Sequence, residues 1–273
     1  MIAVVRTLAG LAIATVVAVA ARRSRSLSRG GALTAVVVGT VAVAAGWSWG
    51  AILLAFFVSS SALSRWRADV KELRAGAIVE KGGERDTMQV IANGGVFALG
   101  ALLWLAGWSA AAPLAFGALA GAASDTWATE VGTLARQPPR SIVSWRPVPP
   151  GTSGGVTTAG LAAALAAAAT LALFSYALGW TWPTAIGALA GGIAGSTADS
   201  LLGALLQAQR WCDRCNSATE RRVHHCGTGT RRARGLTWLD NDAVNLAATV
   251  VGGVAGVLVW ALARGILDRG AGV

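Results

Sequence analysis

Charge is scarce in this chain. Charged residues make up 13% of its 273 positions, about half the share of an ordinary soluble domain. Acids are scarcer than bases, 13 against 23. A soluble fold of this length would struggle to cover itself with so little polar surface. A Walker A loop is also missing, because the Gly-rich stretch "PGTSGG" carries no Lys. No charged segment precedes the first apolar core, "MIAVVRTLAGLAIATVVAVAARRSRS", and its basic cluster comes behind it. That arrangement reads as a spanning helix and not as a cleaved signal.

What is plentiful is apolar sequence: 54% of the residues are hydrophobic and 35 are Gly. Runs of about twenty apolar residues recur from end to end, the signature of a polytopic membrane protein. Eight stretches can be drawn, near 2–20, 31–46, 49–64, 90–106, 112–133, 155–177, 183–207 and 242–263. The run from 31 to 63 is too long for one straight span and reads as a hairpin broken at "GWSWG". The fifth stretch is short before its Asp and reads either as a span or as a re-entrant segment.

The formal charge of +10 would suggest nucleic acid, but the basic residues fall between the apolar runs. Bilayer orientation is the simpler cause, so no nucleic-acid partner is expected. Loop 21–30 holds Arg22, Arg23, Arg25 and Arg29, and loop 65–89 holds Arg65, Arg67, Lys71, Arg74, Lys81 and Arg85. Loop 134–154 holds Arg136, Arg140 and Arg146, and loop 208–241 seven further Arg. With eight spans all four loops fall on one side, expected to be cytoplasmic at the cell membrane. The intervening turns, "AGWSWG", "AGWSAAAP" and "LGWTWP", are uncharged and each carries Trp, as an aromatic belt would. The expected fold class is an all-α polytopic membrane protein of about eight transmembrane helices, within a range of six to eight. A first helix and basic loop occupy 1–30. One membrane domain follows over 31–273, with a Cys/His loop at 208–241.

Acids interrupt this apolar sequence at matched places. Asp125 lies in "GAASDTWATE", with Thr129 on its helical face and Glu130 a modest rotation away. Asp199 lies in "GSTADSLLG". Both follow a Gly by four residues, Gly121 and Gly195, so an internal repeat is suggested and close helix contact is permitted. "TWLDNDAVN" places Asp242 and Asn245 three apart at the start of the last span, where Asp240 and Asn241 also suit a helix cap. "ERDTMQVIANGG" brings Asn93 one turn into the fourth span, with Gln89 four residues before it. An intramembrane carboxylate is costly and usually faces a polar interior. Any one of these acids alone could be an ordinary cap or interhelical bond. Asp125, Asp199 and Asp242 together suit either Mg²⁺ with substrate phosphates or the coupling-ion site of a transporter.

"PVPPGTSGGVTTAG" is a Pro/Gly loop ahead of a span. Its backbone amides at a helix start would make an anion site, and equally it could be a rigid loop with an ordinary N-cap at Thr152 or Ser153. The loop "CDRCNSATERRVHHC" holds Cys212, Cys215 and Cys226 together with His224 and His225. This is zinc-like spacing for three Cys and one His, and the sequence does not choose between the histidines; His224 is taken as the ligand. A disulfide suits a cytoplasmic loop less well. The cluster has no evident open position and reads as a structural clip.

The motif series "ERDTMQVIANGG", "GALAGAASDTWATEVG", "VPPGTSGGVTTAG", "GGIAGSTADSLLGALLQ", "CDRC…HHCG" and "GLTWLDNDAVN" resembles the membrane family that contains transmembrane protein 19 and plant phytyl phosphate kinase. The resemblance covers roughly residues 30–263. The family pattern often has Lys after its first Ser-rich helix; here Arg65 and Arg67 stand there and the next Lys is Lys71. The resemblance implies a kinase that converts phytyl monophosphate to the diphosphate at the expense of CTP or ATP. The implied catalytic positions are Asp125, Glu130, Asp199, Asp242, Asn245 and Asn93. Asp125, Asp199 and Asp242 would hold Mg²⁺. Gly151, Thr152, Ser153, Gly154, Gly155, Arg146 and Asp86 would contact the nucleotide. Membrane lipid, an isoprenoid phosphate and a nucleotide are the expected partners, and oligomeric state is left open. The rival readings are an ion-coupled transporter of a small anion or lipid, a lipid-phosphate cytidylyltransferase and a factor without chemistry.

Overall fold

The computed structural model describes residues 2–79 and 83–270; Lys81, counted above with the second basic loop, lies outside them. Among the described residues eight long helices are joined by one short helix and five short strands. The long helices are α1 (Ile2–Arg23), α2 (Arg29–Ala45), α3 (Trp47–Arg65), α5 (Thr87–Leu105), α6 (Ala111–Gly132), α7 (Thr158–Ala177), α8 (Trp182–Leu205) and α9 (Asn241–Gly270). The short α4 (Ala68–Ala75) follows α3. Six of them, α1, α3, α5, α7, α8 and α9, are long and apolar enough to cross a membrane. Helix α2 has 17 residues. Helix α6 is continuous over 22 residues and buried from Ala111 to Ser124 except at Leu114, so no re-entrant break interrupts it; its polar last turns lower its apolarity. The chain is an all-α, multi-pass membrane protein.

Gly46 alone separates α2 from α3, and α3 returns so that the Arg65 guanidinium donates to the Ser24 carbonyl at 3.0 Å. The expected hairpin is therefore present. Helices α6, α8 and α9 form the centre, with α5 and α7 against α6 and the α1–α2 pair outside α5.

Glycine explains the centre. A methyl group added at Gly191 would lie 2.4 Å from the Gly117 Cα and 2.5 Å from the Gly252 carbonyl oxygen. One added at Gly195 would lie 2.8 Å from the Gly121 Cα, and one at Gly256 2.5 Å from the Pro113 oxygen. Three backbones thus touch where each helix repeats a small residue every four positions. Helices α6 and α8 run the same way, so Gly117 meets Gly191 and Gly121 meets Gly195. One turn further in each helix stands an Asp.

The uncharged turns gather at the other end, where their Trp residues divide between surface and interior. Trp49 is only 1% exposed and packs against Phe97, Trp104, Phe116 and Trp180. Trp180 also meets Trp104 and Phe116. Trp47, Trp108 and Trp182 do remain exposed. Part of the expected belt is therefore an aromatic plug, since a ring two positions from an exposed one, Trp49 from Trp47 and Trp180 from Trp182, points into the bundle.

The loops at the basic end carry the strands. β1 (Arg140–Ser141) pairs antiparallel with β2 (Gly155–Val156). β3 (Gln209–Cys212) lies between β4 (Ser217–Thr219) and β5 (Arg231–Arg234). Pairing of Gly155 and Val156 delays the next helix, so Thr157, not Thr152 or Ser153, caps α7 by accepting from the Gly160 amide.

Candidate functional site

All four basic loops meet over a polar cavity of about 1040 Å³. Its floor follows from the glycine register. With Gly121 against Gly195, the next residues on that stripe, Asp125 and Asp199, bring their carboxyl groups within hydrogen-bonding reach of each other. Asp199 Oδ2 is buried and receives no donor from any described residue. Two acceptors facing each other require a proton or a cation between them.

Glu130 stands one turn above and pairs with Lys71. The Lys71 ammonium also donates to the carbonyls of Leu63 at 2.6 Å and Ser64 at 3.0 Å. Its three protons are thereby all engaged. Arg85 is held more loosely, donating to Ser61 Oγ at 3.2 Å and reaching Ser64 Oγ at 3.5 Å. Burial lowers the Arg85 pKa from its ordinary value; Glu130 opposes that shift and Arg65 adds to it.

Of the expected residues, Asn93, Asp125, Glu130, Asp199, Asn245 and the loop from Gly151 to Gly155 all line this cavity. The Asn93 amide donates to the Gln89 carbonyl at 3.0 Å. The loop is wedged in place: a methyl on Gly151 would lie 2.9 Å from the Ala75 Cβ, and one on Gly154 2.6 Å from the Ser200 carbonyl. Both glycines have positive φ, +87° and +75°. The loop precedes the helix, which begins at Thr158, and two of its amides are engaged: Thr152 and Gly155 donate to the carbonyls of Pro149 and Thr152.

Three expected residues stand apart from the cavity. Asp86 builds a capping box with Gln89 at the start of α5. Arg146 is exposed in the β1–β2 connection. Asp242 is buried in the first turn of α9 and is not part of the cavity wall. Asp240 accepts from the Ala243 amide at 3.0 Å, as a cap does. Asn241, four residues before Asn245, shares the cavity wall with it, and an i, i+4 reading of "NDAVN" could have found it. Lys71 was marked only by the family pattern, and Arg85 had no such signal, because inside a basic loop a structural cation looks like a solvated one.

An apolar cavity of about 310 Å³ adjoins the first, between α1, α2, α3 and α5. Ile13, Val17, Val43, Leu54 and Phe57 line it, and it shares Arg85, Gln89, Asn93 and Thr126 with the polar cavity.

In the loop above, Cys212, Cys215, His224 and Cys226 offer ligand atoms that all lie within 4.8 Å of one another. This cluster could bind a metal ion, and it selects His224, which is buried, over the exposed His225. The three thiols are free. Hydrogen bonds from Thr228 and His224 pull the Cys226 thiol down to about 5, while its sulfur neighbours push Cys215 up to about 11.

The family described as "Integral membrane protein DUF92" matches residues 12–253. The chain is 32% identical to "Protein PGR" of Arabidopsis thaliana, over 90% of this chain and 93% of that one. It is 30% identical to "Uncharacterized membrane protein MJ0933" of Methanocaldococcus jannaschii, over 94% and 95%. "Uncharacterized membrane protein sll0875" of Synechocystis is 29% identical over 84% and 80%. No solved structure matches.

Proposed function

The chain belongs to the DUF92 integral-membrane family, and from that premise we propose that it transfers a phosphoryl group from CTP or ATP to an isoprenoid alcohol monophosphate such as phytyl phosphate. The observation that carries this reading is the facing pair of Asp125 and Asp199, with one oxygen lacking a donor, inside a cavity whose wall carries five cations, Arg85 and Lys71 among them, beside four further acids. Such a pair fits a hard divalent cation such as Mg²⁺, which takes carboxylate oxygens and substrate phosphates together. When bound, that ion screens the charge on the transferring phosphates.

The residues of the chain do the rest. Asp125 and Asp199 would hold that ion. Arg85, with its long contacts to Ser61 and Ser64, is the cation best placed to turn toward a phosphate. Lys71 holds Glu130 in position instead, its protons being engaged. A substrate phosphate oxygen bonds to the γ-phosphorus while the bond to the bridging oxygen breaks, and the nucleoside diphosphate leaves with that charge. The nucleophile is already anionic, so no strong base is needed; positioning and electrostatics suffice. Asn93 orients the acceptor head at the boundary of the two cavities, and the apolar cavity takes the first part of the isoprenoid chain. The carboxylate end of the bundle faces the cytoplasm, where nucleotide is found.

Purified protein in liposomes with phytyl phosphate and γ-labelled nucleotide tests this. We expect labelled diphosphate lipid, and a loss of at least about 100-fold in Asp125→Asn and Asp199→Asn, in line with removal of a main electrostatic contact. Full activity in both variants would falsify the assignment. Release of pyrophosphate in place of nucleoside diphosphate would select the cytidylyltransferase instead.

A further inference from the structure

We propose that Cys212, Cys215, His224 and Cys226 hold a zinc ion that latches the Ser153 loop against the polar cavity. The proposal stands on the cluster and its contacts, independently of what the cavity binds.

The spacing comes first. A tetrahedral zinc with Zn–S near 2.3 Å and Zn–N near 2.0–2.1 Å puts two sulfurs about 3.8 Å apart, and a sulfur and a nitrogen about 3.6 Å apart. Cys212 Sγ and Cys226 Sγ are 3.7 Å apart, and His224 Nδ1 lies 3.4 Å from Cys226 Sγ. The sulfur separation is far beyond a disulfide bond of about 2.05 Å. His224 is 2% exposed, and its Nε2 has no hydrogen-bond partner among the described residues. The polar contact of the ring is therefore with the sulfur cluster. Three Cys and one His leave no open position for a substrate, so the ion is structural.

The second step is what the cluster holds. Strands β3, β4 and β5 have four, three and four residues, too short to sustain a sheet by apolar burial. A metal supplies that stability in small loops of this kind. From the last residue of β4 onward the chain is fastened to the segment following α4. Thr219 Oγ1 donates to the Ala77 carbonyl at 3.0 Å, the Glu220 amide to the Ile78 carbonyl at 2.8 Å and Arg221 Nε to the Val79 carbonyl at 2.9 Å. The Glu220 carboxylate accepts from Ser153 Oγ. Ser153 sits between Gly151, wedged on α4, and Gly154, wedged on α8. The path from the metal cluster through β4 to the cavity rim is thus continuous.

The test uses the full chain in detergent. Elemental analysis should find one zinc per chain, falling at least tenfold in Cys215→Ser and Cys226→Ser. Stripping the folded protein with a zinc chelator should speed proteolytic cleavage in 208–241 and also in 134–157 by at least tenfold, and added zinc chloride should reverse both. Ser153→Ala should keep its zinc yet loosen 134–157. Protein that neither retains nor takes up zinc overturns the proposal. So does a 134–157 cleavage rate unchanged by both chelation and Ser153→Ala.

Discussion

Lys71 sits on an eight-residue helix rich in charge, where solvent would be the ordinary destination of its ammonium. Instead it is buried against Glu130 and two carbonyls. Removing one partner of such a pair leaves the other charge stranded, at a cost of roughly 3–5 kcal/mol. Lys71→Met should therefore lower the thermal stability of the detergent-solubilised protein markedly, and adding Glu130→Gln should recover part of the loss. Equal stability of Lys71→Met and the parent would mean that the pair is solvated. Individual acids were legible in the sequence because a carboxylate stands out within an apolar run. The burial of the cations that meet them was not, since it depends on residues distant in the chain: Glu130 lies 59 positions from Lys71.

At the scale of elements, the Gly-x-x-x-Asp pattern in α6 and α8 is visible in the sequence and permits close contact, but that the two meet each other is a finding of the structure. Their register required the structure: Gly117 faces Gly191 and not the other glycines of α8 that share its sequence context. Gly191→Ala should separate the helices and destabilise by about 1–3 kcal/mol, the usual cost of overpacking. Gly95→Ala, whose methyl would meet only Ile91 of its own helix at 3.5 Å, should be neutral within about 0.5 kcal/mol. Thermal unfolding of both variants compares the two sites directly, and equal effects would remove the backbone-contact account. The strands left no trace in the sequence, because two to four residues are too few to show a period of two.

For the whole molecule, the long apolar runs gave the helices and the basic loops gave a common end, which the shared cavity bears out. Which side of the bilayer that end faces is a matter of charge distribution. Reporter fusions placed after residues 107 and 179 should be active outside the membrane, and fusions after 146 and 216 inactive there. The opposite pattern would reverse the orientation. The Trp-rich turns were partly misread because hydropathy does not tell which neighbour of an interfacial ring points inward.

The five interlocked rings at the far end carry a consequence for traffic. Seven ring pairs join Trp49, Phe97, Trp104, Phe116 and Trp180, each contributing about 0.5–1.5 kcal/mol beyond simple burial. Opening a passage there would cost several kcal/mol in lost ring contacts alone. A water-soluble reactant therefore meets its least resistance at the basic-loop end, where the polar cavity lies.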